Sequence, residues 1–110
     1  MGFAASQARL LMLTARRSDL ELQGQFINQA RLQIANLSGN LFTIASNLEP
    51  ESPEVQQLQA RIAAIQAIDK SLELQGQRLD TQRQAIVTEI ESVHKVISKN
   101  IETSFKIFSA

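Results

Sequence analysis

The stretch Glu49-Pro50-Glu51-Ser52-Pro53-Glu54 holds both prolines of a 110-residue chain. Proline has no N–H to donate, its ring clashes with the preceding helical turn, and it biases the residue before it away from helical angles. A helix over residues 3–48 is therefore expected to stop here, with a turn over 49–53 built on Pro50 and Pro53 and a second helix over 54–108. Ser52 is placed to cap that second helix, Pro53 suits its first position, and Glu54 lies favourably against the N-terminal dipole. The Pro-x-x-Pro spacing also fits a polyproline ligand, but the flanking acids and the turn chemistry favour the turn.

On either side of the turn, large apolar residues recur every seven positions. Leu13, Leu20, Ile27, Ile34, Leu41 and Leu48 form one series; Leu58, Ile65, Leu72, Leu79, Ile86 and Val93 form the other. A second line fills in less evenly, with Leu10, Ala30, Leu37 and Ile44 in the first helix and Ile62, Ile68, Ile90, Ile97, Ile101, Phe105 and Phe108 in the second. Heptads sustained over this length give a coiled-coil-like seam. Joined by a short turn, the helices must run antiparallel. The fold expected is all-α: one domain over residues 1–110, a long two-helix hairpin around the Pro-x-x-Pro turn, assembling side by side.

Centring the turn between Glu51 and Ser52 brings Leu48 to Val55, Leu41 to Ile62, Leu20 near Arg83 and Leu13 to Ile90. Phe105, Ile107 and Phe108 then extend past the start of the first helix and have no partner within the hairpin.

The hexapeptide Leu20-Glu21-Leu22-Gln23-Gly24-Gln25 returns as Leu72-Glu73-Leu74-Gln75-Gly76-Gln77. Two positions along a helix turn by about 200°, so the first leucine of each copy faces the seam and the second, Leu22 or Leu74, faces away. Gly24 and Gly76 are expected on the seam, opposite Leu79 and Ile27. There they would permit close approach where Arg16, Arg17, Gln82 and Arg83 thin out the apolar core. Leu11, Ala15, Leu22 and Phe26 form a second apolar stripe, and Leu32–Leu48 carries no charged residue, with Ala35 and Phe42 off the seam. A hairpin gives each helix only one neighbour, so a second stripe implies a second neighbour. Leu11, Leu22, Phe26, Phe42, Leu74, Phe105, Ile107 and Phe108 are the expected subunit interface.

Composition narrows the chemistry. With 44% apolar and 20% charged residues the chain should fold, and zero formal net charge gives no footprint for nucleic acid. There is no cysteine, which excludes thiolate metal sites and thiol nucleophiles. Glu91-x-x-His94 has the spacing used in di-iron bundles, but such a site needs the motif twice and two further glutamates. Asp69, Asp80, Glu89 and Glu91 are scattered, and no serine or threonine has a nearby base. No catalytic, cofactor-binding or metal-binding residue is expected, and the reading is of a protein that is not an enzyme.

At the N-terminus, Met1-Gly2-Phe3-Ala4-Ala5-Ser6 fits the loose acylation pattern, and the acid-free start has something of a transit peptide. An ordinary helix start accounts for both. Leu10-Leu11-Met12-Leu13 is too short for a secretory core, and nothing later approaches a membrane span. Export would need a route without a cleaved signal, and membrane contact is not expected.

The central Pro50-Glu51-Ser52-Pro53, the flanking heptads and the terminal Phe105-Lys106-Ile107-Phe108 resemble the needle subunits of type III secretion systems and, more broadly, exported axial proteins such as flagellar rod subunits. That resemblance implies a structural subunit that polymerises with itself into a helical filament or tube outside a bacterium or on its surface. It also implies a secretion apparatus or export chaperone as further partner. A cytoplasmic coiled-coil adaptor or chaperone subunit that binds another helical protein is the alternative. A weaker resemblance, to the ESAT-6-like secreted hairpins, lacks their W-x-G turn: Leu37-Ser38-Gly39 is all that stands in its place.

Overall fold

The computed structural model describes residues 2–109; Met1, where the acylation pattern begins, and Ala110 lie outside the described residues. Two helices, α1 (Phe3–Ser46) and α2 (Pro53–Ser109), pack against each other as an all-α hairpin. No strand is present among the described residues.

The helix ends follow from local bonding. At the end of α1, Asn47 N–H donates to Ile44 O at 3.1 Å and Leu48 N–H to Ala45 O at 3.2 Å. These tighter i→i+3 bonds contract the last turn and end α1 at Ser46, two residues before 48. Leu48 consequently leaves the seam and is exposed. The Ser52 hydroxyl accepts from Val55 N–H at 3.3 Å, and the Ser52 carbonyl takes the first helical bond, from Gln56 N–H, at 3.1 Å. Ser52 is thus the cap and Pro53 the first residue of α2.

Between the helices, Ser52 N–H donates to Glu49 O at 3.2 Å, closing a four-residue turn with Pro50 second and Glu51 third. Glu51 has φ 68°, the only positive φ at a non-glycine among the described residues. Proline second and positive φ third is the type II pattern, which favours glycine at the third place. Glu51→Gly is therefore expected to stabilise the hairpin by about 0.5–1 kcal/mol, the left-handed penalty of a side chain offset in part by glycine's extra unfolded-state entropy. Chemical denaturation followed by circular dichroism measures it; a loss of stability would contradict the strain.

The described residues divide into two compact units. One comprises the residues up to Gln23 together with those from Leu79 onward. Its core is Leu13, Leu20, Ile86, Ile90 and Val93, with Leu10, Leu79 and Ile97 packed against it. Ser6 is also fully buried, one heptad before Leu13, and its hydroxyl finds no hydrogen-bond partner.

The other unit, Gly24–Arg78, contains the turn. Val55 and Ile62 are its buried apolar residues; Ile27, Ile34, Leu41, Leu58, Ile65 and Leu72 are half-buried. The difference lies in the second heptad line of α2. It reads Val55, Ile62, Asp69, Gly76, Arg83, Ile90, Ile97, apolar at both ends and polar or empty in the middle.

The second line of α1 follows the expected one only at Leu10 and Ala30, both half-buried. Leu37 and Ile44 are exposed, whereas Leu10, Arg17, Gly24, Arg31, Ser38 and Ala45 are half-buried. These six stand three residues before the main series, in the a positions of a heptad whose d positions are Leu13, Leu20 and so on. In α2, Ile68, Ile101, Phe105 and Phe108 of the expected second line are likewise exposed.

Candidate interaction surface

The seam settles what remains outside it. With Leu20 and Leu72 at d, Gly24 and Gly76 fall at a, and Leu22 and Leu74 at f, the position directed furthest from the partner helix. Both of those leucines are exposed.

Gly24 and Gly76 are half-buried, but neither is needed for close approach. A methyl group built at Gly24 meets nothing within 4 Å, and one at Gly76 lies 3.7 Å from Ile27 Cγ2, an ordinary contact. This overturns the expectation that the glycines let the helices come closer. Of the four polar residues expected to thin the core, Arg17 and Arg83 are half-buried at a positions, while Arg16 and Gln82 are exposed.

In the unit from Gly24 to Arg78, Phe26, Phe42 and Leu74 are exposed as expected for an interface. So are Leu32, Leu37 and Ile44, which the heptad reading missed or assigned to the seam. Leu37 and Ile44 flank the seam on one side and Phe42 on the other. Four large apolar side chains thus stand exposed on the part of α1 that carries no charge, where a solvated face would normally carry several. In the unit containing both chain ends, Leu11, Leu22, Phe105, Ile107 and Phe108 are exposed, together with Met12. Val55 and Ser6 are buried residues absent from every expected line, whereas the buried Ile62 and Ile90 belong to the expected second line of α2; one heptad before Leu13 gives Ser6, and one before Ile62 gives Val55.

Polar geometry is modest beside this. Arg31 donates from Nε to Asp69 Oδ1 at 2.9 Å and from Nη2 to Oδ2 at 3.2 Å, a bidentate bridge between α1 and α2. Its hydrogen bonds raise the Arg31 pKa and hold the Asp69 carboxyl below its ordinary value, against a smaller opposing effect of desolvation. A carboxylate with a lowered folded-state pKa contributes stability above its unfolded pKa and loses it as pH falls through the folded value. Asp69→Asn should therefore lower the urea midpoint at neutral pH, and the gap from the wild type should close once the pH drops below the usual carboxylate range. A gap independent of pH would contradict that role. Arg9 also bridges to Glu89 at 2.9 Å.

A shallow groove of about 290 Å³ runs beside the Arg31–Asp69 bridge, lined by Asn28, Ile34, Ser38, Ile65 and Gln66 among others. It holds no nucleophile with an adjacent base. Glu91 and His94 are both exposed, and among the described residues no group of acids and histidine is gathered as a metal site. No helix among the described residues is long and apolar enough to cross a membrane. What the arrangement offers is exposed apolar surface outside the seam. No protein-family model, curated protein or solved structure matches the chain.

Proposed function

We propose that this chain is a structural subunit whose copies pack side by side into a helical filament or tube. The observation that carries the reading is the apolar surface off the seam: Leu22 and Leu74 at f positions, with Phe26, Leu32, Leu37, Phe42 and Ile44 exposed on α1. Exposed leucine and phenylalanine on this scale are stabilised by removal from water, and a second helical hairpin presenting the same surface is the simplest cover. Zero net charge leaves association between copies unopposed by long-range repulsion. The likeness in architecture to exported needle and rod subunits supports a place outside a bacterial cell or on its surface, with an export apparatus or chaperone as transient partner.

The test is assembly of the full chain with and without Leu22→Asp and Phe26→Asp. The wild type should pellet as polymers visible by negative stain, and the double variant should keep its helical spectrum yet remain soluble. Both residues are exposed, so the change spares the seam. Equal pelleting by both would refute this surface as the contact. A wild-type chain that stays monomeric would assign the surface to a different helical protein instead, the adaptor or chaperone reading.

A further inference from the structure

Along one face of α2 run Ile90, Ile97, Ile101, Phe105 and Phe108, at spacings that keep them within a quarter-turn of one another. Exposure rises steadily along it. Ile90 is 7% exposed, Ile97 packs against the core of its unit, and then Ile101, Phe105 and Phe108 are 55%, 72% and 92% exposed. The buried face of α2 thus continues into an exposed apolar stripe.

We propose that a second copy of this chain covers this stripe, the two C-terminal segments of α2 packing antiparallel about a two-fold axis near Ser104. This rests on the reading that copies assemble with one another and adds which ends meet. Continuity favours it, because the uncovered stripe extends a face already buried against a helix. Area is sufficient: at roughly 150–250 Å² for a fully buried aromatic side chain, the stripe and flanking stems expose on the order of 500 Å² per copy. Two copies then remove about 1,000 Å², the lower bound for a specific interface.

Charge favours the same register. Glu102 and Lys106 lie on one side of the helix and pair with each other, 3.3 Å apart and exposed. An antiparallel partner centred on Ser104 brings its Lys106 to this Glu102 and its Glu102 to this Lys106. Such a contact is isologous and closes as a pair, so growth into a polymer needs the separate off-seam surface.

The chain has no cysteine, so one introduced thiol reports proximity without interference. Ser104→Cys in the full chain should oxidise to a disulfide dimer at least tenfold faster than Ser71→Cys, at an exposed site in the other unit. Adding Phe105→Glu and Phe108→Glu should remove that advantage with helicity unchanged. Glu102→Lys should slow the cross-link, and Lys106→Glu added to it should restore the rate. Cross-linking at Ser104→Cys no faster than at Ser71→Cys, in a wild-type background that pellets as polymers, would overturn the tail-to-tail contact and leave the assembly reading standing. Fast cross-linking in a chain that stops at dimers would support the contact and overturn the polymer. A monomeric chain that floats with anionic vesicles through Phe105 and Phe108 would give the stripe to a lipid surface and overturn the contact.

Discussion

Leu20→Ala is expected to lower stability by about 2–5 kcal/mol, while Leu22→Ala, two residues along the same repeat, changes it by no more than about 0.5 kcal/mol. Leu20 is 4% exposed and sits in the cluster with Leu13, Ile86, Ile90 and Val93; Leu22 is 47% exposed. Removing the buried side chain forfeits its transfer from water and leaves a cavity the neighbours fill only in part. A folded domain holds only about 5–15 kcal/mol in total, so this one substitution takes a large share. With neither tryptophan nor tyrosine in the chain, the measurement is urea unfolding followed by helical circular dichroism. Equal losses at Leu20 and Leu22 would contradict the division into seam and outer face. If Leu22 faces another copy, its alanine variant should show its effect in assembly instead.

Gly24→Ala and Gly76→Ala are expected to act in the opposite direction, raising stability by about 0.8–1 kcal/mol each and about 2 kcal/mol together. Neither residue adopts a positive φ, and the added methyl meets open space at Gly24 and an ordinary contact with Ile27 at Gly76. Alanine thus gains helix propensity and a little buried carbon without a clash. A rise in urea midpoint for both single variants is the expected outcome. A fall at either site would show that the helices approach there more closely than the structure has them. Thermal unfolding should agree, since a gain of this size moves the midpoint by several degrees in a domain of this length.

Much of the hairpin was legible because its strongest signals are local. Pro50 and Pro53 mark the break, and the Leu13 and Leu58 series mark one line of the seam on each helix without reference to anything distant. The other line was harder to read. Its a positions include Arg17, Gly24, Arg31, Asp69, Gly76 and Arg83, none of which reads as core. Half-buried arginine and aspartate become acceptable only once they face each other, as Arg31 and Asp69 do, and that pairing joins residues distant in sequence. Leu37 and Ile44 were misassigned for the complementary reason: their hydrophobicity suggested seam, while the a line, three residues before Leu41 and Leu48, falls on Ser38 and Ala45. The type II turn was hidden because Glu51 stands where glycine would have announced it. Of the surface, Leu22, Phe26 and Leu74 followed from angle alone, and Leu32, Leu37 and Ile44 emerged only when the seam was fixed.

Sedimentation velocity of the wild-type chain across a hundredfold range of concentration addresses the self-assembly proposal most directly. Expected is a monomer or tail-to-tail dimer at the lowest concentrations that gives way to large, heterogeneous species as concentration rises, with filaments or tubes in negative stain of the same samples. A single sharp boundary at monomer mass over the whole range, with empty grids, would contradict a chain built to pack with its own copies.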